Sequence, residues 1–168
     1  MHCEGWRTVN YKFFLCNKDE VRKHVKINLI RALYSPILYI KMSRKYKSSN
    51  DFASVREDLI NLRNIQKTNL DKNQKKYTAH ELLFAALSWT HICRLIGYIF
   101  RQSDLCLNRS YALAYVLIYL GIPCFVIVGK AQYYLNRNYQ FHAWVELSEI
   151  PVNDSLEVKQ QWKKVLVL

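Results

Sequence analysis

Glycine and proline are scarce, 4 and 3 in 168 residues. So few flexible or rigid backbone points exclude collagen-like repeats and linker tracts. Repetition at a period of about 20 to 50 residues is also missing, which removes solenoid architectures. The five cysteines, Cys3, Cys16, Cys93, Cys106 and Cys124, include no CxxC pair and no zinc-site spacing. Met1 to Arg7 lacks the apolar core of a secretory signal. With an odd cysteine count, that absence points to reduced thiols in the cytoplasm. The longest uncharged stretch, Ser110 to Gly129, has Gly121-Ile122-Pro123 in its middle. It therefore reads as helix, turn and buried strand, with no transmembrane segment.

Acidic residues are also in short supply: 13 Asp and Glu stand against 25 Lys and Arg, a net charge of +12. Residues 1–77 hold 17 basic and 7 acidic side chains, and residues 78–168 hold 8 and 6. Such a field favours an anionic partner, whether nucleic acid, an acidic peptide or protein, or the headgroups of a membrane contacted peripherally. It also serves as a solvated surface that keeps the chain soluble. Arg22, Lys23, Lys26, Arg31, Lys41, Arg44, Lys45 and Lys47 are not interleaved with a base-stacking platform, which speaks against nucleic acid.

Apolar residues, by contrast, make up 51% of the chain and aromatic ones 14%, enough for a sizeable core in one domain, two at most. Asn17 with Glu20 caps a helix whose apolar series is Val21, Val25, Leu29, Ala32 and Leu33, and Pro36 is expected to kink or end it. Ser54 with Glu57 opens a short second helix with Val55, Leu59 and Leu62 on one side. Residues 66–77 are polar and lysine-rich, as in a solvated loop. Thr78 with Glu81 is another capping box, before a largely buried helix with Leu82, Leu83, Ala86, Trp89, Cys93, Ile96 and Phe100. A helix over 106–120 follows, then strands near 124–129 and 140–147 and a third near 150–154.

Cys106 follows Ser103-Asp104, which can cap, and opens the helical run from Arg109 to Leu117. A sulfur in the first turn of a helix meets amide N–H groups and the positive end of the macrodipole, and both favour the nucleophilic thiolate. Asp104 opposes that shift and an imidazolium reinforces it. Strand alternation places Phe141, Ala143 and Val145 on a core-like face, and His142, Trp144 and Glu146 on a face able to line a cleft. Twelve residues beyond His142 lies Asp154, which a hairpin through Ser148-Glu149 brings beside the imidazole to orient it. Glu146 ranks second as the orienting acid, because side chains two apart on one strand splay. Cys3, Cys16, Cys93 and Cys124 read as structural or incidental. His24, His80 and His91 have no thiol or carboxylate at metal-ligand spacing.

Four blocks carry a resemblance: Cys106 to Leu113, Leu120 to Gly129, Phe141 to Glu146, and Val152-Asn153-Asp154. In order and spacing they resemble the transglutaminase-like leader peptidases of lasso peptide biosynthesis, the lasso B proteins, with a looser likeness over residues 20–103. The resemblance implies an α+β fold with a papain-like core, in which a helix carrying Cys packs on a small antiparallel sheet carrying His and Asp. Residues 78–168 would be this core, and 1–77 a basic, mainly helical region packed on or extending it. It further implies Cys106 as nucleophile, His142 as general base and acid, Asp154 as orienting carboxylate, and no cofactor or metal. The glycine frequent in the turn after the His strand is absent from Leu147-Ser148-Glu149-Ile150, and Cys124 stands where alanine is frequent.

The implied substrate is a ribosomally made precursor peptide cut at its leader–core junction. Hairpin signals are absent from residues 1–100, so the resemblance is to the standalone peptidase type. That type relies on a separate winged-helix leader-recognition protein and works with a macrolactam-forming cyclase. Two other readings stay open: a transglutaminase-like enzyme in which an amine resolves the acyl-enzyme, and a non-enzymatic basic helical binding protein.

Overall fold

Apolar residues at three- and four-residue spacing form the helices, and the first of them runs through its proline. The computed structural model describes residues 29–48, 52–70, 78–101, 105–132 and 140–168. Helix α1 (Leu29–Ser48) contains Pro36 in its interior, so the proline, expected to kink or end the helix, does not end it. An interior proline costs ~3 kcal/mol. Beyond it, however, Leu38, Tyr39, Met42 and Tyr46 are all buried, and each buried apolar side chain of this size returns about 1.5–3 kcal/mol. The expected cap at Asn17 and Glu20 lies outside the described residues.

Helix α2 (Phe52–Leu70) is longer than its sequence signal. Val55, Leu59 and Leu62 are buried as their spacing requires. The helix continues past residue 66, in place of the expected loop, because two polar side chains there have structural partners. Arg63 donates to the carbonyls of Cys124 at 2.8 Å and Leu168 at 2.9 Å. Gln66 donates to the carbonyl of Tyr119 at 3.0 Å.

Helix α3 (Ala79–Ile99) opens with the Thr78–Glu81 capping box read from the sequence. It is less buried than expected, since only Ala85, Ala86, Thr90, Cys93 and Ile96 are enclosed while Leu95, Tyr98 and Ile99 stay exposed. Phe100 lies past its end and is exposed as well. By length and composition alone α3 could cross a membrane. The central helix is instead α4 (Cys106–Tyr119), buried on nearly every side. Gly121, at φ 86°, ends it: the N–H groups of Gly121 and Ile122 reach back to the carbonyls of Ile118 and Leu117, a left-handed stop that suits glycine. Ser110 to Gly129 is thus helix, turn and strand.

The sheet is antiparallel with order β3-β2-β1-β4. Strand β1 (Phe125–Ala131) pairs with β2 (Phe141–Leu147), setting Gly129 opposite His142. Strand β3 (Ile150–Pro151) is shorter than the expected 150–154, so Asp154 lies three residues past it. A short helix α5 (Val158–Gln161) then leads into β4 (Trp162–Val167), which pairs with β1.

The core-forming residues of α1, α2, α3 and α4 join Val126, Val145 and Leu147 in one hydrophobic cluster. Ile127, Trp144 and Val158 form a second, with Trp162 against it. Both faces of β2 are therefore covered. The side expected to line a cleft has Trp144 and Glu146 fully buried, and Phe141, expected on the core face, is 59% exposed where the strand begins.

Ser148 and Glu149, between β2 and β3, both have positive φ, 47° and 67°. A type I′ turn requires this of its central pair and favours Asn-Gly there. Replacing Ser148-Glu149 by Asn-Gly is expected to raise stability by about 1 kcal/mol, since a left-handed non-glycine residue costs roughly 1–2 kcal/mol. Chemical denaturation checks this, and an unchanged midpoint counts against the turn being strained.

Candidate active site

Cys106 is the first residue of α4, and Leu105 at the N-cap offers no side-chain acceptor to the first turn. Ser103 and Asp104, the expected caps, lie outside the described residues. The sulfur is half-buried and accepts hydrogen bonds from the backbone N–H groups of Ala143 and Leu107 and from the His142 side chain. His142 enters from β2. Its Nε2 lies 2.5 Å from Oδ2 of Asp154, which leaves Nδ1 as the ring nitrogen for the sulfur. Asp154 is fixed in turn, because its Oδ1 accepts from the N–H of Ser155 at 2.8 Å. The structure thus brings together the three residues singled out in the sequence.

The electrostatics are those of an ion pair. Burial pushes the Cys106 thiol up, but the His142 hydrogen bond and charge, with the two backbone N–H groups, outweigh it and hold the thiol below its ordinary value. Burial likewise disfavours the His142 imidazolium, yet Asp154 and Cys106 together raise it to about 9. Both shifts favour the thiolate–imidazolium form of the pair.

Glu146 has other partners. Its Oε1 accepts from Nε1 of Trp144 at 2.8 Å and its Oε2 from Lys164 at 2.6 Å. Cys93 and Cys124 are buried, and burial raises both thiols, Cys124 to about 12. His80 and His91 lie on α3. Cys3, Cys16 and His24 lie outside the described residues. Of the basic residues, Arg31 donates to the Tyr119 carbonyl and lies over that ring, and Lys45 pairs with Asp58 at 2.5 Å. Among the described residues no three His, Cys, Asp or Glu side chains converge as a metal cage.

Sequence reading placed Trp144 on the face of His142 but missed Trp162, the second ring beside it. Trp144 and Trp162 lie with ring centroids 6.1 and 5.2 Å from that of His142. Gly129 makes room for them: a Cβ there would come within 2.7 Å of the Trp144 ring and 2.8 Å of Trp162 Cβ. Trp162 left no signal because β4, which begins there, shows no clean alternation. Ser110 and Asn153, which bridge α4 to β2, were legible only in part, Ser110 by lying one turn after Cys106.

The transglutaminase-like superfamily model matches residues 53–167, more than half of the chain, and spans all three of these residues. No curated protein and no solved structure matches.

Iodoacetamide alkylation of Cys106, followed by peptide mapping across pH, is expected to have a midpoint below the ordinary thiol value of 9.0. In His142→Ala, burial acts with less opposition, so the midpoint moves up. Coincident profiles would show that the imidazole does not act on the sulfur.

Proposed function

Because this chain belongs to the transglutaminase-like superfamily, we propose that it is a cysteine peptidase that removes the leader from a ribosomally made lasso peptide precursor. The observation that carries this reading is the imidazole of His142, held by Asp154 through Nε2 and presented to Cys106 through its other nitrogen. Superfamily membership supports thiol chemistry of the peptidase or transglutaminase type. The resemblance in the blocks around Cys106, His142 and Asp154 supports the narrower substrate.

In the proposed reaction the Cys106 thiolate attacks the carbonyl carbon at the leader–core junction. Backbone N–H groups at the start of α4 serve the developing oxyanion in this scheme. His142 gives its proton to the departing core amine as the C–N bond breaks, leaving the leader as a thioester on Cys106. Water, deprotonated by the now neutral His142, attacks that thioester, and the leader departs as a carboxylic acid. The proton returns to the pair. Asp154 keeps the ring oriented throughout and stabilises its charged form whenever it holds the proton. A separate winged-helix protein presents the leader, the basic N-terminal part attracts it or its carrier, and a cyclase closes the ring.

Mass spectrometry of a candidate precursor, incubated with the chain with and without its recognition protein, tests this. Leader and core are expected from wild type, with loss of about 10³-fold or more in a folded Cys106→Ala protein. A fully active Cys106→Ala protein would falsify the assignment. If a leader–amine adduct dominates when amine is added, the enzyme is an amide transferase.

The pH profile supplies a second measurement. A group raised to about 9 keeps its proton until the medium passes that value, so cleavage is expected to fall on the alkaline side near pH 9. Asp154→Asn removes the carboxylate charge that raises His142, so this limb moves toward the ordinary imidazole value of about 6.5. A limb that stays in place in Asp154→Asn assigns it to another group.

A further inference from the structure

Along the outer edge of β2, successive outward-facing residues find different partners. Leu147 pairs with Ile150 of β3. Two residues back, the carbonyl of Val145 accepts from the N–H of Val152 at 2.9 Å, and its N–H donates to Oδ1 of Asn153 at 2.7 Å. Two further back β3 is no longer alongside, and Ala143 turns to α4. Its carbonyl accepts from Oγ of Ser110 at 2.9 Å, and its N–H reaches the Cys106 sulfur. Nδ2 of Asn153 closes the circuit by donating to the same Ser110 oxygen at 3.1 Å. Ser110 is fully enclosed and Asn153 is 5% exposed.

The members of this circuit are neighbours of the reacting groups. Ser110 lies one helical turn beyond Cys106, Ala143 follows His142, and Asn153 precedes Asp154. We propose that Ser110 and Asn153 are positioning residues, a buried junction that fixes the register of the helix carrying Cys106 against the strand carrying His142 and the loop carrying Asp154. The inference rests on the reading of these three as one site. Neither junction residue touches the sulfur or the imidazole. Each acts through the backbone: a hydroxyl that is at once donor and acceptor ties α4 to Ala143 and to Asn153, and an amide ties the Asp154 loop to Val145. A slip of a few tenths of an ångström lengthens the Cys106–His142 contact directly, because a short hydrogen bond to a charged group weakens steeply with distance and misalignment.

The test compares Ser110→Ala, Asn153→Ser and a control, Thr90→Ala, which removes a buried hydroxyl bond to Ala86 on α3. All are measured well below their unfolding temperatures, with circular dichroism to establish folding. Alkylation of Cys106 by iodoacetamide at pH 7 is expected to slow about five- to tenfold in both junction variants, as for a thiol midpoint raised by about one pH unit. Thr90→Ala is expected to lose stability yet keep the wild-type rate. Folded junction variants with wild-type profiles overturn the proposal, as does a shift equally large in Thr90→Ala. Should Ser110→Ala fail to fold, Asn153→Ser carries the comparison, and loss of fold in both makes the junction structural and overturns the positioning role. Failure of the underlying site reading looks different, since wild type and His142→Ala would then share one profile.

Discussion

A negatively charged sulfur in a half-dry site is tenable only beside its countercharge, and in this chain that dependence passes through several residues. Burial disfavours the Cys106 thiolate, and the imidazolium of His142 with two backbone N–H groups offsets it. Burial equally disfavours that imidazolium, and the carboxylate of Asp154 holds it. On the surface such pairs are worth about 0–1 kcal/mol. Here the alternative to each contact is a polar group left enclosed without a partner, at about 1–3 kcal/mol. The arrangement is accordingly sensitive to geometry, and much of the fold serves to hold α4 against β2.

That holding has two layers. Apolar packing places α4 between the other helices and the sheet, since its side chains are enclosed on nearly every side. Packing alone tolerates small slides along the helix axis, because methyl groups are indifferent to direction. The directed bonds of Ser110, Asn153 and the Ala143 backbone are not. On the opposite face of the sheet, Trp144 and Trp162 confine the imidazole, and the missing side chain at Gly129 allows them to come so near.

The sequence displayed the helices by their periodicity and Cys106, His142 and Asp154 by their setting in familiar blocks. It concealed whatever depended on long-range partners. Pro36 reads as a kink or stop, yet the helix passes through it because residues beyond it pack on distant partners, Tyr39 beside Gly97 of α3 and Tyr46 against Tyr111 of α4. Residue 66 looks like the start of a solvated loop, although Gln66 faces a carbonyl at the end of α4. Arg63 and Arg31 count as surface charge in a composition table and in the fold bind carbonyl oxygens. In α3 the apolar spacing exceeds the enclosure, because periodicity reports a face and not the width of what covers it. Strand β4, largely exposed, carries almost no pattern at all.

The short β3 has one more effect. Because β3 ends at Pro151, the outer margin of β2 is completed by a turn, an amide and a helix terminus, so its main-chain donors and acceptors from Ala143 to Leu147 are already engaged. An extended peptide cannot add itself there as a further strand without displacing the groups that tie α4 and the Asp154 loop to β2. Side chains and neighbouring loops are thus what a peptide beside the sulfur would meet. Among the described residues, the remaining lateral border of the sheet is that of β4.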